Sequence, residues 1–201
     1  MISEKQKYLE IYSGKLAEFY NNNDDDGIRD HGYGRRMWGE GIIPHVRQLA
    51  PESLLDIGCG FGRFCDVVSE FIPVVYGLDI ASVDTGNVIN NSKIKFIPGE
   101  AKDLSEFANN SIDWITSFDC IEHCLEKDID TIFSEFNRVA KKGFILSISY
   151  DSCNYQGIEF HMCVHPESWW IDKIKKYGKV IKTGEVPIIG SQYILCYKEN
   201  N

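Results

Sequence analysis

The sequence predicts one α/β domain: a largely parallel sheet of seven strands with helices on both faces and an antiparallel pair at one edge. Three observations carry that expectation. From residue 53 onward, short apolar runs alternate with stretches whose apolar residues recur at helical spacing. The strand-like runs are continuously apolar, as strands covered on both faces are. The last two runs are joined by about seven residues, too few for a helical crossover, so they pair antiparallel.

In chain order, residues 3–20 place Leu9, Tyr12, Leu16, Phe19 and Tyr20 on one helical face. NNNDDDG (21–27) is a polar breaker and reads as an exposed loop. HGYGRRMWGEG (31–41) holds four glycines among aromatic and basic side chains and reads as a mobile segment. Residues 1–41 are therefore expected to be an N-terminal helix and lid within a single domain spanning 1–201. A helix is expected over 42–50. The expected strands are SLLDI (53–57), VVYGLD (74–79), IKFI (94–97), IDWITSF (112–118), GFILSIS (143–149), KVIKTG (179–184) and QYILCYK (192–198). Helices are expected over 63–71 and 128–142.

With 43% hydrophobic and 25% charged residues, the 201-residue chain has ordinary globular usage, which excludes disordered and collagen-like classes. A net charge of −9 disfavours a wrapped nucleic-acid partner. No apolar run approaches the ~18 residues of a membrane span, and MISEKQKYLE lacks a signal-peptide apolar region. Seven scattered cysteines suit reduced thiols better than a disulfide framework. The expectation is a cytoplasmic protein, monomeric or homodimeric.

The most informative stretch runs from Leu54 to Phe64: an apolar strand enters Gly58-Cys59-Gly60-Phe61-Gly62 and then a helix. Glycines allow a sharp turn and let a ligand approach without meeting a Cβ, although a plain strand-to-helix turn reads the same way. Asp79 ends the next strand, where an acid accepts hydrogen bonds from ribose hydroxyls; a helix cap is the other reading. No Gly-Lys-Ser/Thr is present, which excludes a P-loop. The third glycine comes one residue early for a dinucleotide fingerprint, leaving room for a nucleoside without a pyrophosphate.

LLDIGCGFGRF (54–64) resembles the first motif of class I S-adenosylmethionine-dependent methyltransferases. YGLDI (76–80), FIPGEAKDL (96–104) and SIDWITSFDCIEHC (111–124) resemble that family's later motifs in order, so the resemblance covers about residues 30–200. It implies a three-layer α/β/α Rossmann-like fold with strand order 3-2-1-4-5-7-6 and strand seven antiparallel. It implies S-adenosylmethionine as cofactor and S-adenosylhomocysteine as product. Asp56, Gly58, Cys59 and Gly60 would line the methionine portion, Asp79 would bind the ribose, and Ile80 would lie against the adenine. Glu100 and Ala101 would sit at the adenine edge, with Glu100 where the family commonly has Asp. Phe118 and Asp119 would close the site.

Methyl transfer from a sulfonium needs positioning above all, and a base only where the acceptor must lose a proton. His123 is the leading candidate base and His165 a second; the plain alternative is that Glu122-His123 caps a helix or braces a loop. Residues 159–170 resemble an acceptor wall of small-molecule and glycan-associated methyltransferases, which implies acceptor contacts from His161 and Trp169. If this segment is extended, His161, Cys163 and His165 share one face, a zinc arrangement with Cys153 as a distant fourth. The firm spacing of zinc sites is missing, so no metal is expected. Core packing by Trp169 or Trp170 is the remaining alternative. Tyr33 and Arg36 in the lid would also touch the acceptor, an arginine suiting a carboxylate or phosphate. Cys65, Cys120 and Cys124 read as helical packing residues.

With almost no insertion beyond the minimal fold, the expected acceptor is a small polar molecule, an oxygen or nitrogen of a sugar or glycan-related metabolite. A nucleic-acid or protein methyltransferase is the alternative. Against it, Phe118-Asp119-Cys120-Ile121 is not the Asp/Asn-Pro-Pro-aromatic motif of base amino-methylation, and no Pro-Cys pair occurs. A non-catalytic S-adenosylmethionine-binding subunit is the rival from another class.

Overall fold

The computed structural model describes residues 41–80, 90–155, 158–184 and 192–199. Its first strands are β1 (Ser53–Ile57), β2 (Val74–Asp79), β3 (Ile94–Pro98), β4 (Ile112–Phe118) and β5 (Ala140–Ser147), paired in parallel. A short antiparallel hairpin follows, β6 (Asn154–Tyr155) with β7 (Ile158–Glu159), then β8 (Gly178–Thr183) and β9 (Tyr193–Lys198). The large sheet has the order β3-β2-β1-β4-β5-β9-β8, with β9 antiparallel to both neighbours. This is the expected 3-2-1-4-5-7-6 arrangement, β8 and β9 being its sixth and seventh strands.

Every residue of β1 and β4 is buried, which explains their unbroken apolar runs. Successive side chains point to opposite faces, so neighbours along one strand join different cores. Leu55, Ile115 and Phe144 pack with Phe133 and Phe136 of α3 (Ile129–Val139) and Trp170 of α4 (Glu167–Ile174). Leu54, Trp114 and Ile145 pack on the other face with Val46 at α1 (Ile43–Leu49) and Phe64 and Val68 of α2 (Arg63–Val68). Helices on both faces make the three layers.

The helix expected to run to Lys142 stops at Val139, and Ala140, Lys141 and Lys142 open β5 instead. The lysine ammoniums reach the Asp113 carboxylate at the foot of β4, at 3.2 and 2.8 Å, which anchors that strand start. The expected strand over 143–149 accordingly lies over 140–147. The β6–β7 hairpin has no counterpart in the sequence pattern. Cys65 sits in α2 as expected, whereas Cys120 and Cys124 flank one 3-10 turn, Ile121–His123. All seven cysteines are unpaired thiols. Among the described residues no helix is long and apolar enough to cross a membrane. The expected N-terminal helix and lid, with Tyr33 and Arg36, lie outside the described residues.

Candidate functional site

The end of β1 is tied to the end of β2 by the glycine turn. Gly58 and Cys59 N–H groups donate to the Leu78 carbonyl at 2.8 and 3.1 Å, and Gly60 N–H donates to Asp79 Oδ2 at 2.9 Å. Gly58 and Gly60 have φ of 72° and 54°, a region that favours glycine. A Cβ on Gly58 would lie 2.3 Å from Cys120 Sγ, so the turn is pressed between β2 and the chain leaving β4. Asp79, 2% exposed, is thereby held at the carboxyl ends of the parallel strands, where ligands bind in open α/β sheets.

Asp56 lies beneath the turn. Its Oδ1 accepts from the Thr116 hydroxyl at 2.7 Å and its Oδ2 from the Cys65 thiol at 3.7 Å. Burial pushes its pKa up to about 7 from 3.8, and the nearby Asp79 adds a little in the same direction. The Cys59 thiol is buried, so this residue offers a ligand its backbone rather than its sulfur. Ile80 follows β2 half-buried, and Glu100 and Ala101 follow β3 half-buried. Glu100 borders a cleft with Leu78, Ile97, Gly99 and Asp103, and its carboxylate is 3.4 Å from Lys102 Nζ. The Phe118 ring packs edge-on between Phe64 and Tyr193, inside the core.

The chain turns sharply after β4. Asp119 has φ 50°, and its N–H donates to Ser147 at the carbonyl and the hydroxyl, 3.1 and 3.2 Å. The 3-10 turn then buries Glu122 completely. Glu122 Oε1 accepts from Ser149 N–H at 2.7 Å, and its carbonyl accepts from Cys163 N–H at 3.0 Å. Glu122 therefore braces two later segments, as the loop-bracing alternative has it. Burial, with Asp119 beside it, pushes the Glu122 carboxyl well above the usual carboxylate range. Its Oε2 is buried with no hydrogen-bond partner among the described residues.

His123 Nδ1 faces the Phe160 carbonyl at 3.1 Å, and His161 Nδ1 faces the Asp151 carbonyl. The imidazoles meet edge to face, centroids 4.6 Å apart. One ligand atom each from Asp119, His123 and His161 lies within 4.8 Å of the others. Burial lowers the His123 pKa to about 4; Asp119 opposes this and His161 reinforces it.

His161, Cys163 and His165 do not gather. Cys163 turns into the core, 1% exposed. His165 stacks on Trp169 with centroids 4.0 Å apart and places Nε2 3.1 Å from Glu126 Oε2. Trp170 is fully buried, the core alternative, while Trp169 is half-buried. The Asp119–His123–His161 grouping was missed in the sequence. The Asp-x-x-x-His spacing of Asp119 and His123 is a weak signal, and nothing local announces that His161 returns to them.

Residues 55–148 match the methyltransferase domain family. Over 169 residues the chain is 27% identical to phosphoethanolamine N-methyltransferase 2 of Caenorhabditis elegans, covering 79% of this chain and 38% of that one. The chain spans between 32% and 38% of the length of the curated relatives it matches. Magnesium protoporphyrin IX methyltransferase of Synechocystis PCC 6803, crystallised with S-adenosylmethionine, superimposes with a TM-score of 0.71 at 14% identity, over 99% of each chain. The 1,6-didemethyltoxoflavin-N1-methyltransferase of Burkholderia thailandensis, crystallised with its named ligand and S-adenosylhomocysteine, gives 0.64 at 14% identity, over 100% of this chain and 92% of that one. At these identities the structural likeness establishes the fold. S-adenosylmethionine is the cofactor of proteins with this domain, and the four ordered motifs fall at the ends of β1, β2, β3 and β4. Residues 55–148 therefore carry the match to the methyltransferase domain, and the sheet order is that of the methyltransferase fold of these neighbours.

Proposed function

We propose that the chain methylates a small polar acceptor, at an oxygen or nitrogen of a sugar or similar metabolite, and releases S-adenosylhomocysteine. One arrangement carries the reading: the glycine turn with Asp79 stands at one side of the strand ends, and Asp119, His123 and His161 stand at the other. The turn fits the cofactor because its positive-φ glycines bring backbone close to a ligand while Asp79 offers a carboxylate to the ribose. Bound S-adenosylmethionine supplies a sulfonium methyl whose leaving group is a neutral thioether. The chain's own part is then to hold the acceptor atom in line with that methyl.

Asp119, His123 and His161 are the groups placed to do so. With a pKa of about 4, His123 is neutral at physiological pH, and as a base it would have little driving force for taking a proton. It is better suited to binding the acceptor than to deprotonating it. His165 and Trp169 form a stacked pair further along the same segment and make the proposed outer wall. The relative named for phosphoethanolamine and the structural neighbour named for didemethyltoxoflavin both support a small-molecule acceptor.

The test is calorimetric titration with S-adenosylmethionine and S-adenosylhomocysteine, followed by methyl-label transfer to panels of sugars, phosphorylated amines, nucleic acids and proteins. Binding of both ligands and labelling of a small polar compound is the expected outcome. Labelling confined to RNA, DNA or protein refutes the acceptor class. Binding without transfer to any panel points to the non-catalytic subunit.

A further inference from the structure

We propose that Asp119, His123 and His161 form a binding site for a divalent first-row transition metal with open coordination positions. Three independent features converge on it. The first is composition and proximity: two imidazoles and a carboxylate present ligand atoms within 4.8 Å of one another. Around a metal with bonds of about 2.0–2.2 Å, donor atoms sit roughly 3–4.3 Å apart, so side-chain adjustments of about 1 Å complete the set.

The second feature is the state of the imidazoles. Each Nδ1 faces a backbone carbonyl, of Phe160 for His123 and of Asp151 for His161. A carbonyl only accepts, so Nδ1 carries the proton and the lone pair lies on Nε2. Orientation of a ligating histidine by a carbonyl on its other nitrogen is the usual outer support of a metal site. The two supporting carbonyls lie on either side of the β6–β7 hairpin.

The third is an orphaned polar atom. Glu122, next to His123 in the chain, is fully buried, and its Oε2 has no hydrogen-bond partner among the described residues. A buried polar oxygen left without a partner is costly, and such an orphan beside three converging ligand groups marks a site built for a polar occupant. Glu122 is not itself one of the three converging groups; it stands behind them.

Two imidazoles select against magnesium and calcium and suit zinc, iron, cobalt or nickel. Three protein ligands leave positions for an outside molecule, as in catalytic rather than structural sites. That outside molecule is an oxygen of the methyl acceptor, an assignment that rests on the methyl-transfer reading above. For a hydroxyl acceptor, the metal-held O–H loses its proton to solvent, the O–CH3 bond forms as the S–CH3 bond breaks, and S-adenosylhomocysteine leaves. The metal then supplies the activation of the acceptor oxygen.

The experiment uses the full chain, stripped with chelator and titrated with cobalt(II) and zinc(II), with circular dichroism confirming the fold of each variant. One equivalent of cobalt binding with visible ligand-field bands is expected, and excess zinc should displace it. His161→Ala and Asp119→Asn should each weaken binding at least tenfold, while His165→Ala and Cys153→Ser leave it unchanged. No metal binding by folded protein, or binding indifferent to His161→Ala, overturns the site. So does a chain that ignores metals yet binds simple amines, which would assign the cluster to a cationic acceptor. Metal binding without label transfer to any acceptor leaves the site standing and removes the acceptor role. Transfer that survives complete chelation also leaves the site standing and removes the activation role. Calorimetry with S-adenosylmethionine in chelator reads the cofactor half separately.

Discussion

The two sides of the strand-end mouth are built in opposite ways. On the proposed cofactor side, Asp56, Gly58, Gly60 and Asp79 come from two adjacent strands and the turn between β1 and α2, and backbone hydrogen bonds hold the turn to Leu78. On the proposed acceptor side, side chains from the chain after β4 and from residues 158–165 meet across 38 positions of sequence, His123 to His161. The first side depends on backbone conformation, which tolerates few residue types. The second depends on the docking of a short hairpin segment, which many sequences could supply. A cofactor held on the first side would meet a conformationally rigid surface, and an acceptor held on the second would be read by the side chains that segment carries.

The largest effect should come from breaking the rigid side. Gly58→Val forces a β-branched residue to φ 72° and places its Cβ 2.3 Å from Cys120 Sγ. A loss of about 3 kcal/mol in folding stability, read by urea denaturation, is expected from the backbone strain and the clash. Wild-type stability would mean that the turn is free to reshape, and the contrast between the two sides would fall.

That contrast also explains what was legible in advance. The sheet order and the positions of the glycine turn and Asp79 followed from contiguous motifs and the resemblance they carried. Lys141 and Lys142 were misplaced because their helical neighbours extended the periodicity, while the decisive partner, Asp113, lies 28 residues away on another strand. The Asp119–His123–His161 grouping escaped for a related reason. His161 is delivered by β6–β7, whose strands are only two residues each, too short for any alternation to register. Sharing one strand face grouped His161 with Cys163 and His165; instead, Cys163 is drawn into the core beneath Glu122.

The next effect isolates charge on the cofactor side. Asp79→Asn keeps an oxygen for Gly60 N–H but loses the negative charge proposed to face the ribose. S-adenosylmethionine affinity should fall by about 1–3 kcal/mol in calorimetry, with folding stability nearly intact. Unchanged affinity would refute the ribose assignment.

Asp56 offers a pH test of the same side. Its pKa is raised by burial from 3.8 to about 7, so the folded chain binds the proton more tightly than the unfolded one. The stability this contributes is full below about pH 4 and is lost as pH rises through about 7. Between about pH 5.5 and about pH 8.5 the cofactor-free protein should lose about 2 kcal/mol from this group alone. Asp56→Asn should flatten that slope in thermal melts; an undiminished slope would place the titrating group elsewhere.

The smallest effect belongs to the acceptor side. His165 stacks face to face on Trp169 and lies against a largely exposed Glu126, so truncating it removes a surface stack and an exposed polar contact. His165→Ala should cost about 1 kcal/mol or less in stability, and it should leave S-adenosylmethionine affinity untouched. If the 158–170 segment is the acceptor wall, the same variant raises KM for the acceptor several-fold with kcat nearly unchanged, because a wall residue binds ground state and transition state alike. A fall in kcat at constant KM would instead bring His165 into contact with the reacting atoms. The acceptor side would then have two working centres, and its dependence on the docked segment would be stronger than the stack alone implies.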